Sequence, residues 1–436
     1  MSNNKEPGNP WTPDDEREHS SSVIEWWSAE AFFKSVEDNK KWSFKASLTN
    51  WLTKSKKPGS NLIITLFDLD NNKHFSYYSR SNSAKLESAK DSFNVRYNNS
   101  SMKGSYPNYE MYFRDPKNNI EFDIRYRAES LPHWIAQDIT NGWLPMSLGF
   151  YKYGFIPKCG LSGTMKTEDT IFNIEGKGYF EHVWGNFSYT NPLLYATGLK
   201  KTISIYSKLI GWWIHNHKTR IPKSVMFCTD NNPRGYDWIW ALLDNGWSLF
   251  YGNILLWIMK GPVAGSLILS KDGKTYTEFC NVNFKYKETR YVKEYDFYYP
   301  SVIIITAQKE KEKLSLSFKM NVKSRELLMK LMGKKNAFFI CEAPGIVEGY
   351  YFDGEKNIKL SGVCKMEPQR QVSKLGHNSL KLDFLLPPNG VGIDVDLNSH
   401  YLNKTITTRL HLTPHPSFKF NVKKLKEDDY SHQMHY

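Results

Sequence analysis

The residues best placed to carry chemistry lie in one short run. Positions 177–185 read Lys-Gly-Tyr-Phe-Glu-His-Val-Trp-Gly, so an acid, an imidazole and an indole occupy four positions between glycines. In a β-strand, successive side chains point to opposite faces, which puts His182 and Trp184 on one face and Glu181 and Val183 on the other. The pair of rings predicts a polar and aromatic pocket wall.

The alternative interpretation of this run is structural. A half-buried strand with a hydrogen-bonded core histidine and a packing tryptophan has the same pattern. A second run, Glu25-Trp26-Trp27, near the start of the predicted first strand, favours the functional interpretation because it again combines an acid with indoles.

Together the two runs resemble the motifs of a lipocalin-like protein family. An early Glu-Trp-Trp and a later Gly-x-Gly-Tyr-x-acid-His-x-Trp-Gly are similar to the AttH-like proteins, which include hydroxyneurosporene synthase (carotenoid 1,2-hydratase), and to the fungal decalin-forming cyclases. The resemblance extends over roughly residues 20–370. The sequence departs from it at Glu181, where many members carry Asp, so the carboxylate is displaced by about one bond.

The resemblance implies an all-β fold of two lipocalin-like antiparallel β-barrels packed together, with an apolar isoprenoid, polyene or polyketide held between them. It implies a hydratase or related lyase that adds water to a C=C bond or removes it. A cyclase or isomerase, and a non-catalytic carrier of lipophilic ligands, remain open alternatives. Protonation of a C=C bond requires a carboxylic acid kept protonated by apolar surroundings, a π face to stabilise positive charge, and a base that orients water.

Residues of the two motifs and of one further strand supply these roles. The acid is assigned to Glu181 or Asp237, with Glu25 as a further candidate, and the base to His182. Since Glu181 and His182 face opposite ways, only one of them contacts the substrate unless the strand is bulged, and we favour His182 together with Trp184 as a π wall. The candidate substrate-binding residues are Glu25, Trp26, Trp27, which is the second π wall, Tyr179, Tyr236 and Trp238.

The composition points to a β-rich protein with more than one core. A length of 436 residues exceeds the usual single core, and aromatic residues, which favour pleated surfaces, make up 15% of the chain. The five cysteines are scattered without a Cys-x-x-Cys pair, so a disulfide framework or a zinc site is not expected. His215 and His217 are two positions apart, which suits no helical metal site. We therefore predict no metal and no cofactor.

Turn-forming residues separate short alternating runs along most of the chain. Strong turn signals occur at positions 68–72, 115–119 and 244–246, the last an Asp-Asn-Gly hairpin. The predicted organisation is a disordered tail over residues 1–20, a first barrel over 21–258, a second barrel over 259–425 and a C-terminal tail over 426–436.

Residues 193–214 have a different periodicity. Their apolar side chains fall on one broad face at helical spacing and their lysines on the other, which predicts an amphipathic helix inserted in the first barrel. Such a helix suits a lid over the pocket, a contact with a membrane surface, or simple packing on the outside of a barrel.

The expected partners and location follow from charge and from the absence of apolar stretches. The net charge of +13 favours anionic neighbours such as phospholipid surfaces. Dispersed lysines and the lack of a known module argue against nucleic-acid binding as the function. Without a secretory signal or an apolar run of about 18 residues, the sequence predicts a cytoplasmic protein with peripheral membrane contact as an option. The main expected partner is an apolar small molecule.

Overall fold

The computed structural model of this chain describes residues 11–52, 57–146, 148–168, 170–187, 198–217, 224–228, 234–255, 262–279, 281–295, 297–330, 336–373, 378–399 and 402–425. Strand makes up 70% of the structure and helix 7%, and two antiparallel sheets curl into half-barrels. The predicted all-β class with two barrels is confirmed.

The first sheet is formed by the N-terminal half of the chain. Its strands are β1 (Ile24–Ser35), β2 (Lys41–Leu52), β3 (Pro58–Asp68), β4 (Lys73–Ser81), β5 (Glu87–Ser88), β6 (Phe93–Tyr97), β7 (Ser100–Ser105), β8 (Asn108–Asp115), β9 (Ile120–Ala128), β10 (His133–Trp134), β11 (Trp143–Met146), β12 (Gly149–Thr167) and β13 (Thr170–Asn186). The order is β4-β3-β2-β1-β13-β12-β9-β8-β7-β6-β5, and β10 and β11 pair with β12. β13 therefore lies between β1 and β12, in the middle of the sheet.

The second sheet follows the same antiparallel pattern. Its strands are β15 (Arg234–Leu243), β16 (Ser248–Leu255), β17 (Pro262–Ser270), β18 (Thr277–Phe279), β19 (Asn281–Val292), β20 (Phe297–Lys309), β21 (Glu312–Met320), β22 (Arg325–Lys330), β23 (Asn336–Phe352) and β24 (Asn357–Ser373). Their order is β18-β17-β16-β15-β24-β23-β21-β20-β19, and β22 pairs with β23.

A smaller third sheet and three helices complete the described structure. The third sheet has the order β14-β25-β26-β27-β28, with β14 (Ser224–Cys228), β25 (Asn378–Leu385), β26 (Val391–Ser399), β27 (Lys404–Thr413) and β28 (Ser417–Lys424). The helices are α1 (Pro13–Glu16), α2 (Gln137–Thr140) and α3 (Leu199–His217).

The predicted turns lie where the strands end. Asp115 ends β8, and its carboxylate accepts hydrogen bonds from the backbone N–H groups of Lys117 and Asn118. In the hairpin between β15 and β16, Gly246 has a φ of 87°, a conformation that glycine adopts without strain.

Three hydrophobic cores organise these sheets. One lies inside the first curled sheet and one inside the second. The third joins side chains of β12 and β13 to side chains of β15, β16 and β17, so it lies where the two sheets pack against each other. We call the side of each sheet that faces the other sheet its inter-sheet face.

The N-terminal segment, residues 11–22, closes the interior of the first sheet. Trp11 is 4% exposed and stacks on Trp134, with ring centroids 5.4 Å apart. The buried carboxylate of Glu16 accepts hydrogen bonds from the hydroxyl of Tyr109 at 2.6 Å and from the backbone N–H of Tyr106. The predicted disorder is therefore wrong for residues 11–20, because one large indole and several paired charges hold the segment. Residues 1–10 lie outside the described residues.

Two other predicted assignments need correction. β15 and β16, which we assigned to a first barrel ending at 258, pair within the second sheet. Residues 378–424, assigned to the second barrel, form most of the third sheet. A hairpin pattern looks the same in every sheet, so local sequence does not identify the sheet it joins. The predicted helix is present as α3, and residues 193–197, like the tail 426–436, lie outside the described residues.

Helix α3 packs on the first sheet near β11 and β12. Ile205 is buried, the hydroxyl of Thr202 donates to the carbonyl of Leu148, and the ammonium of Lys201 lies over the ring of Trp143. No helix in the described part of the chain is long and apolar enough to cross a membrane.

Replacing Trp11 with Ala should lower the free energy of unfolding by about 3 kcal/mol, because it leaves a cavity against Trp134 and Phe180. Urea denaturation followed by circular dichroism measures this change. The matched control is Ile171→Ala, since Ile171 is 63% exposed. Equal stabilities of the two variants would show that residues 11–22 do not contribute to the core.

Candidate active site

Strand β13 carries the central motif, and its alternation is regular. Phe180, His182 and Trp184 point into the first sheet, whereas Tyr179 and Val183 belong to the core between the two sheets. The glycine at position 178 is required by packing, since a Cβ there would lie 2.4 Å from Cζ of Tyr126. The predicted separation of His182 from Glu181 is therefore confirmed, and the motif contributes to two different environments.

The first environment is a buried cluster of His19, Glu25 and His182. Oε1 of Glu25 lies 2.9 Å from Nε2 of His182 and 2.9 Å from Nδ1 of His19. Both carboxylate oxygens also accept the backbone N–H of His19. The rings of Trp27 and Trp184 enclose the cluster, at 4.6 Å from His182 and 3.9 Å from His19 between centroids. Sequence reasoning missed His19.

The partners of His182 fix its hydrogen atoms. Nδ1 lies 2.7 Å from the carbonyl oxygen of Asp15, which can only accept, so Nδ1 carries a hydrogen. Nε2 faces the carboxylate of Glu25, which also only accepts when ionised. Burial lowers the pKa of His182, although its hydrogen bond and charge interaction with Glu25 act in the opposite direction. Burial raises the pKa of Glu25, but the hydrogen bonds from His182 and His19 outweigh it and lower that pKa overall.

The same three side chains offer two imidazole nitrogens and a carboxylate oxygen within 4.8 Å of one another, a donor set that suits zinc. Here these atoms are paired with one another, and His182 and Glu25 are almost completely buried. The arrangement is that of a hydrogen-bonded latch between residues 11–22 and the first sheet, and we assign no metal to it.

The second environment surrounds Glu181 on the inter-sheet face. The hydroxyls of Tyr153 and Tyr179 donate to its Oε2, and the indole of Trp26 donates to Oε1 at 2.9 Å. Trp238, from the second sheet, donates to the hydroxyl of Tyr153 at 2.7 Å. The carboxyl is thus held by aromatic side chains of both sheets.

This environment changes the acidity of the carboxyl. Burial raises the pKa of Glu181 to about 7, against the opposing effects of the Lys45 charge and of its hydrogen bonds. A hydroxyl both donates and accepts, so the two tyrosines can pair with either protonation state. Near neutral pH, Glu181 can therefore give up or take back a proton at small cost.

Charged side chains continue the inter-sheet face beyond Glu181. Lys45, opposite Glu30 on the neighbouring strand, lies 3.3 Å from the carboxylate of Glu30 and 2.9 Å from that of Glu342, and also pairs with Glu367. Although burial acts in the opposite direction, these carboxylates raise the pKa of Lys45 well above its usual range. The hydroxyl of Tyr236 donates to Glu367 at 2.7 Å. A buried cation thus links the acids of the two sheets.

Two more cations complete this network. The guanidinium of Arg325 pairs with Glu342 at 2.8 Å, and the ammonium of Lys365 lies 3.4 Å from Glu30. Burial raises the pKa of Glu367, whereas neighbouring cations, Lys45 first, overcome burial and lower the pKa of Glu342. The carboxylates of this network therefore differ in how readily they hold a proton.

Asp237 lies elsewhere. It points into the second sheet, where Arg370 pairs with its Oδ1 at 2.6 Å and Asn253 and Tyr286 donate to Oδ2. The alternation of β15 explains this, because Tyr236 and Trp238 occupy the opposite face. The structure therefore does not bring Asp237 next to the other predicted catalytic residues.

The predicted residues thus divide into two groups and one outlier. His182, Trp184, Glu25 and Trp27 meet inside the first sheet. Glu181, Tyr179, Trp26, Tyr236 and Trp238 meet between the sheets. Within the second group Trp26 and Tyr236 are only half-buried, and Leu209 of helix α3 packs against the core to which this group belongs.

Several residues of the inter-sheet group were missed by sequence reasoning. Tyr153, Lys45, Glu30 and Glu367 come from four different strands, and their meeting depends on how the sheets pack. A local signal existed for two of them, because Glu30 and Lys45 interrupt otherwise apolar or small strand residues. An ionisable residue at a buried strand position indicates a paired charge.

Comparison with known proteins supports the fold. No family model matches this sequence, and no curated protein sequence matches it. A protein provisionally named AttH from Nitrosomonas europaea has a similar structure, with a TM-score of 0.55 and 15% identity over 82% of this chain and 95% of its own. Kievitone hydratase from Nectria haematococca has a TM-score of 0.54 and 12% identity over 83% of this chain and 92% of its own.

A structure of CghA with Sch210972 is similar at a lower level. It covers 80% of this chain and 89% of its own, with a TM-score of 0.46 and 10% identity, too low to support an argument. The likeness to the AttH protein and to kievitone hydratase shows that this chain shares their fold.

Replacing Glu25 with Ala should lower the free energy of unfolding by about 3–5 kcal/mol, because it leaves His182 buried without its partner. Because folding lowers the pKa of Glu25, the carboxylate stabilises the folded protein fully above the usual carboxyl pKa. This stabilisation is lost as the pH falls through the lowered pKa. The difference between variant and wild type should therefore shrink in acid. Urea denaturation across a pH series measures both effects.

The control for this test is Glu175→Ala. Glu175 also lies on β13, but its ion pair with Lys34 is exposed, so its loss should change stability much less. If Glu25→Ala lowers the free energy of unfolding no more than Glu175→Ala does, the latch is contradicted.

Proposed function

We propose that the protein is a hydratase or dehydratase, or a closely related cyclase, that acts on a C=C bond of an apolar isoprenoid, polyene or polyketide bound between the two sheets. Glu181 is the proton donor in this proposal. The aromatic rings of Trp26 and Trp238 line the substrate and stabilise the positive charge that develops on carbon.

One observation carries the proposal: the carboxyl of Glu181 lies in an aromatic environment made by both sheets and is hydrogen-bonded to Tyr153, Tyr179 and Trp26. A carboxylic acid in such surroundings remains partly protonated near neutral pH, as protonation of an unactivated alkene requires. Glu181 is 7% exposed, whereas His182 is completely buried and enclosed by indoles. These differences favour Glu181 over our first choice, His182, as the group that meets the substrate.

The reaction balances with water as the only co-reactant. The proton of Glu181 adds to one alkene carbon, and the electron pair of the π bond forms the new C–H bond. Water attacks the cationic carbon, and its surplus proton returns to Glu181 directly or through the hydroxyl of Tyr153. The reverse sequence removes water. In a cyclase, an internal double bond replaces water as the nucleophile, and a proton lost from carbon restores the acid.

The Lys45 network serves this step electrostatically. Its ammonium lies 5.9 Å from the ring of Trp238 and acts on the charge of Glu181. A nearby cation favours the carboxylate, so Lys45 limits how far burial raises the pKa of Glu181. The group therefore remains able to release its proton. Glu367 and Tyr236 are the candidates for orienting water, since the tyrosine hydroxyl already donates to that carboxylate.

The comparisons support the coarser part of this proposal. A solved protein with this fold is named a hydratase, and the two motifs of the sequence resemble a family that contains hydratases and cyclases.

Glu181→Gln should lower kcat by a factor of about 10² to 10⁴, because the amide keeps the shape but cannot supply the proton. The protein is first incubated with a lipophilic extract of its source cells in water labelled with ¹⁸O, and products are separated by mass spectrometry. A product heavier by one labelled water identifies the hydratase reaction and supplies the substrate for kinetics.

The matched control is Glu175→Gln on the same strand, which should retain wild-type kcat because its carboxylate is exposed and pairs with Lys34. An isomeric product without label would assign the chain to the cyclases. If a ligand binds wild type and Glu181→Gln with equal affinity but is never converted, the protein is a non-catalytic carrier. This result would overturn the catalytic proposal.

The pH dependence of the rate should reflect the acid. With a pKa of about 7, Glu181 is protonated below that pH and loses its proton above it. kcat should therefore be highest on the acid side and fall about tenfold for each further unit of pH above 7. Lys45→Met should shift this profile toward higher pH, since it removes the cation that favours the carboxylate. A rate that rises with pH would contradict Glu181 as the proton donor.

A further inference from the structure

Strands β25, β26, β27 and β28 of the third sheet form an amphipathic layer. Registered partners across these strands share one face: Leu380 is opposite Leu397, Leu397 is opposite Ile406, and Ile406 is opposite Val422. We call this the apolar face of the third sheet. Its hydrophobic members are Leu380, Leu382, Phe384, Ile393, Val395, Leu397, Ile406, Leu410, Leu412, Phe418, Phe420 and Val422.

None of these side chains is buried, and no hydrophobic core of the described residues includes one of them. Phe418 is 66% exposed, Phe420 59% and Leu412 55%. Elsewhere in the described chain, large exposed hydrophobic side chains stand singly or in pairs such as Tyr291 and Tyr298, whereas here they extend across the neighbouring strands β27 and β28. A contiguous apolar surface of this kind marks a contact with a membrane or another molecule.

The charges of the third sheet are divided between its two faces. On the opposite face the acids are paired: Asp394 and Asp396 with Arg409, and Asp383 with Lys381. At one end of the apolar face, Lys404 and Lys424 stand directly opposite each other. The apolar face is therefore bordered by cations, and its neighbouring carboxylates point the other way.

This combination favours a lipid surface over a second copy of the chain. Long basic side chains at the border of an apolar face can bury their stems and reach lipid phosphates. β28 is an edge strand, and Lys419 and Lys423 project from it together with Lys424. Lysines on an edge strand oppose pairing with another copy. The net charge of +13 acts in the same direction.

We propose that the apolar face of the third sheet docks on the surface of an anionic phospholipid bilayer, with Phe418, Phe420 and Leu412 entering the interfacial region and Lys404 and Lys424 contacting phosphates. The surface does not use Glu181 or its partners, so this inference stands independently of the proposed function.

The test is sedimentation of the full chain with vesicles of phosphatidylcholine alone and of phosphatidylcholine with phosphatidylserine. Wild-type protein should bind the anionic vesicles more tightly, and added salt should weaken that binding. The double variant Phe418→Ser with Phe420→Ser should lose at least about tenfold in affinity. The double variant Lys404→Glu with Lys424→Glu should lose about as much on anionic vesicles only.

The matched control is Ile171→Ser with Tyr350→Ser, which removes exposed hydrophobic residues of the first and second sheets and should leave binding unchanged. Circular dichroism verifies that each variant is folded. Equal binding by wild type and by the Phe418 and Phe420 double variant would overturn the proposal. So would a dimer in analytical ultracentrifugation that this double variant dissociates, since a second copy would then cover the face.

Discussion

The two-residue period of strand β13 is the constraint on which the rest of the structure depends. Because neighbours in a strand point to opposite faces, Glu181 and His182 cannot enter one cavity. Both faces of the strand are buried, one in the core of the first sheet and the other in the core between the two sheets. One face builds the buried latch with Glu25 and His19, and the other supplies the acid between the sheets. A single motif thus stabilises the first barrel and places a carboxyl group between the two sheets.

The buried charges between the sheets set the second constraint. Removing a lysine and several carboxylates from water costs several kcal/mol for each ion, and only close pairing offsets it. Lys45 achieves this by contacting Glu30 from its own sheet and Glu342 and Glu367 from the other. In other proteins, replacing a buried ion network with hydrophobic residues of similar volume often leaves stability unchanged or raises it. The charge of Lys45 also lowers the pKa of Glu181 against the effect of burial, which is the role that the proposed function gives to the network.

Sequence periodicity predicted what depends on neighbours along the chain. The all-β class, the opposed faces of Glu181 and His182, the turns at 115–119 and 244–246 and the presence of α3 are local patterns, and they are confirmed. Features that depend on contacts across the fold were missed or misassigned. They are the sheet to which β15 belongs, the ion pair of Asp237 with Arg370 inside the second sheet, and the ion pairs of Lys45 between the sheets. His19 escaped because a histidine in a polar N-terminal stretch gives no sign of burial until its partner Glu25 is known.

The filling of the two half-barrels limits where an apolar ligand can bind. The interior of the first sheet holds an aromatic core closed by Trp11 and by the latch at His19, and the interior of the second holds its own core with Asp237 and Arg370 paired inside it. A ligand in either interior would have to displace packed side chains or break a buried ion pair. The inter-sheet face is also packed, but Trp26 and Tyr236 are only half-buried there, and burial raises the pKa of Glu181 to about 7. The substrate site that we propose therefore lies at the contact between the two half-barrels rather than inside either one.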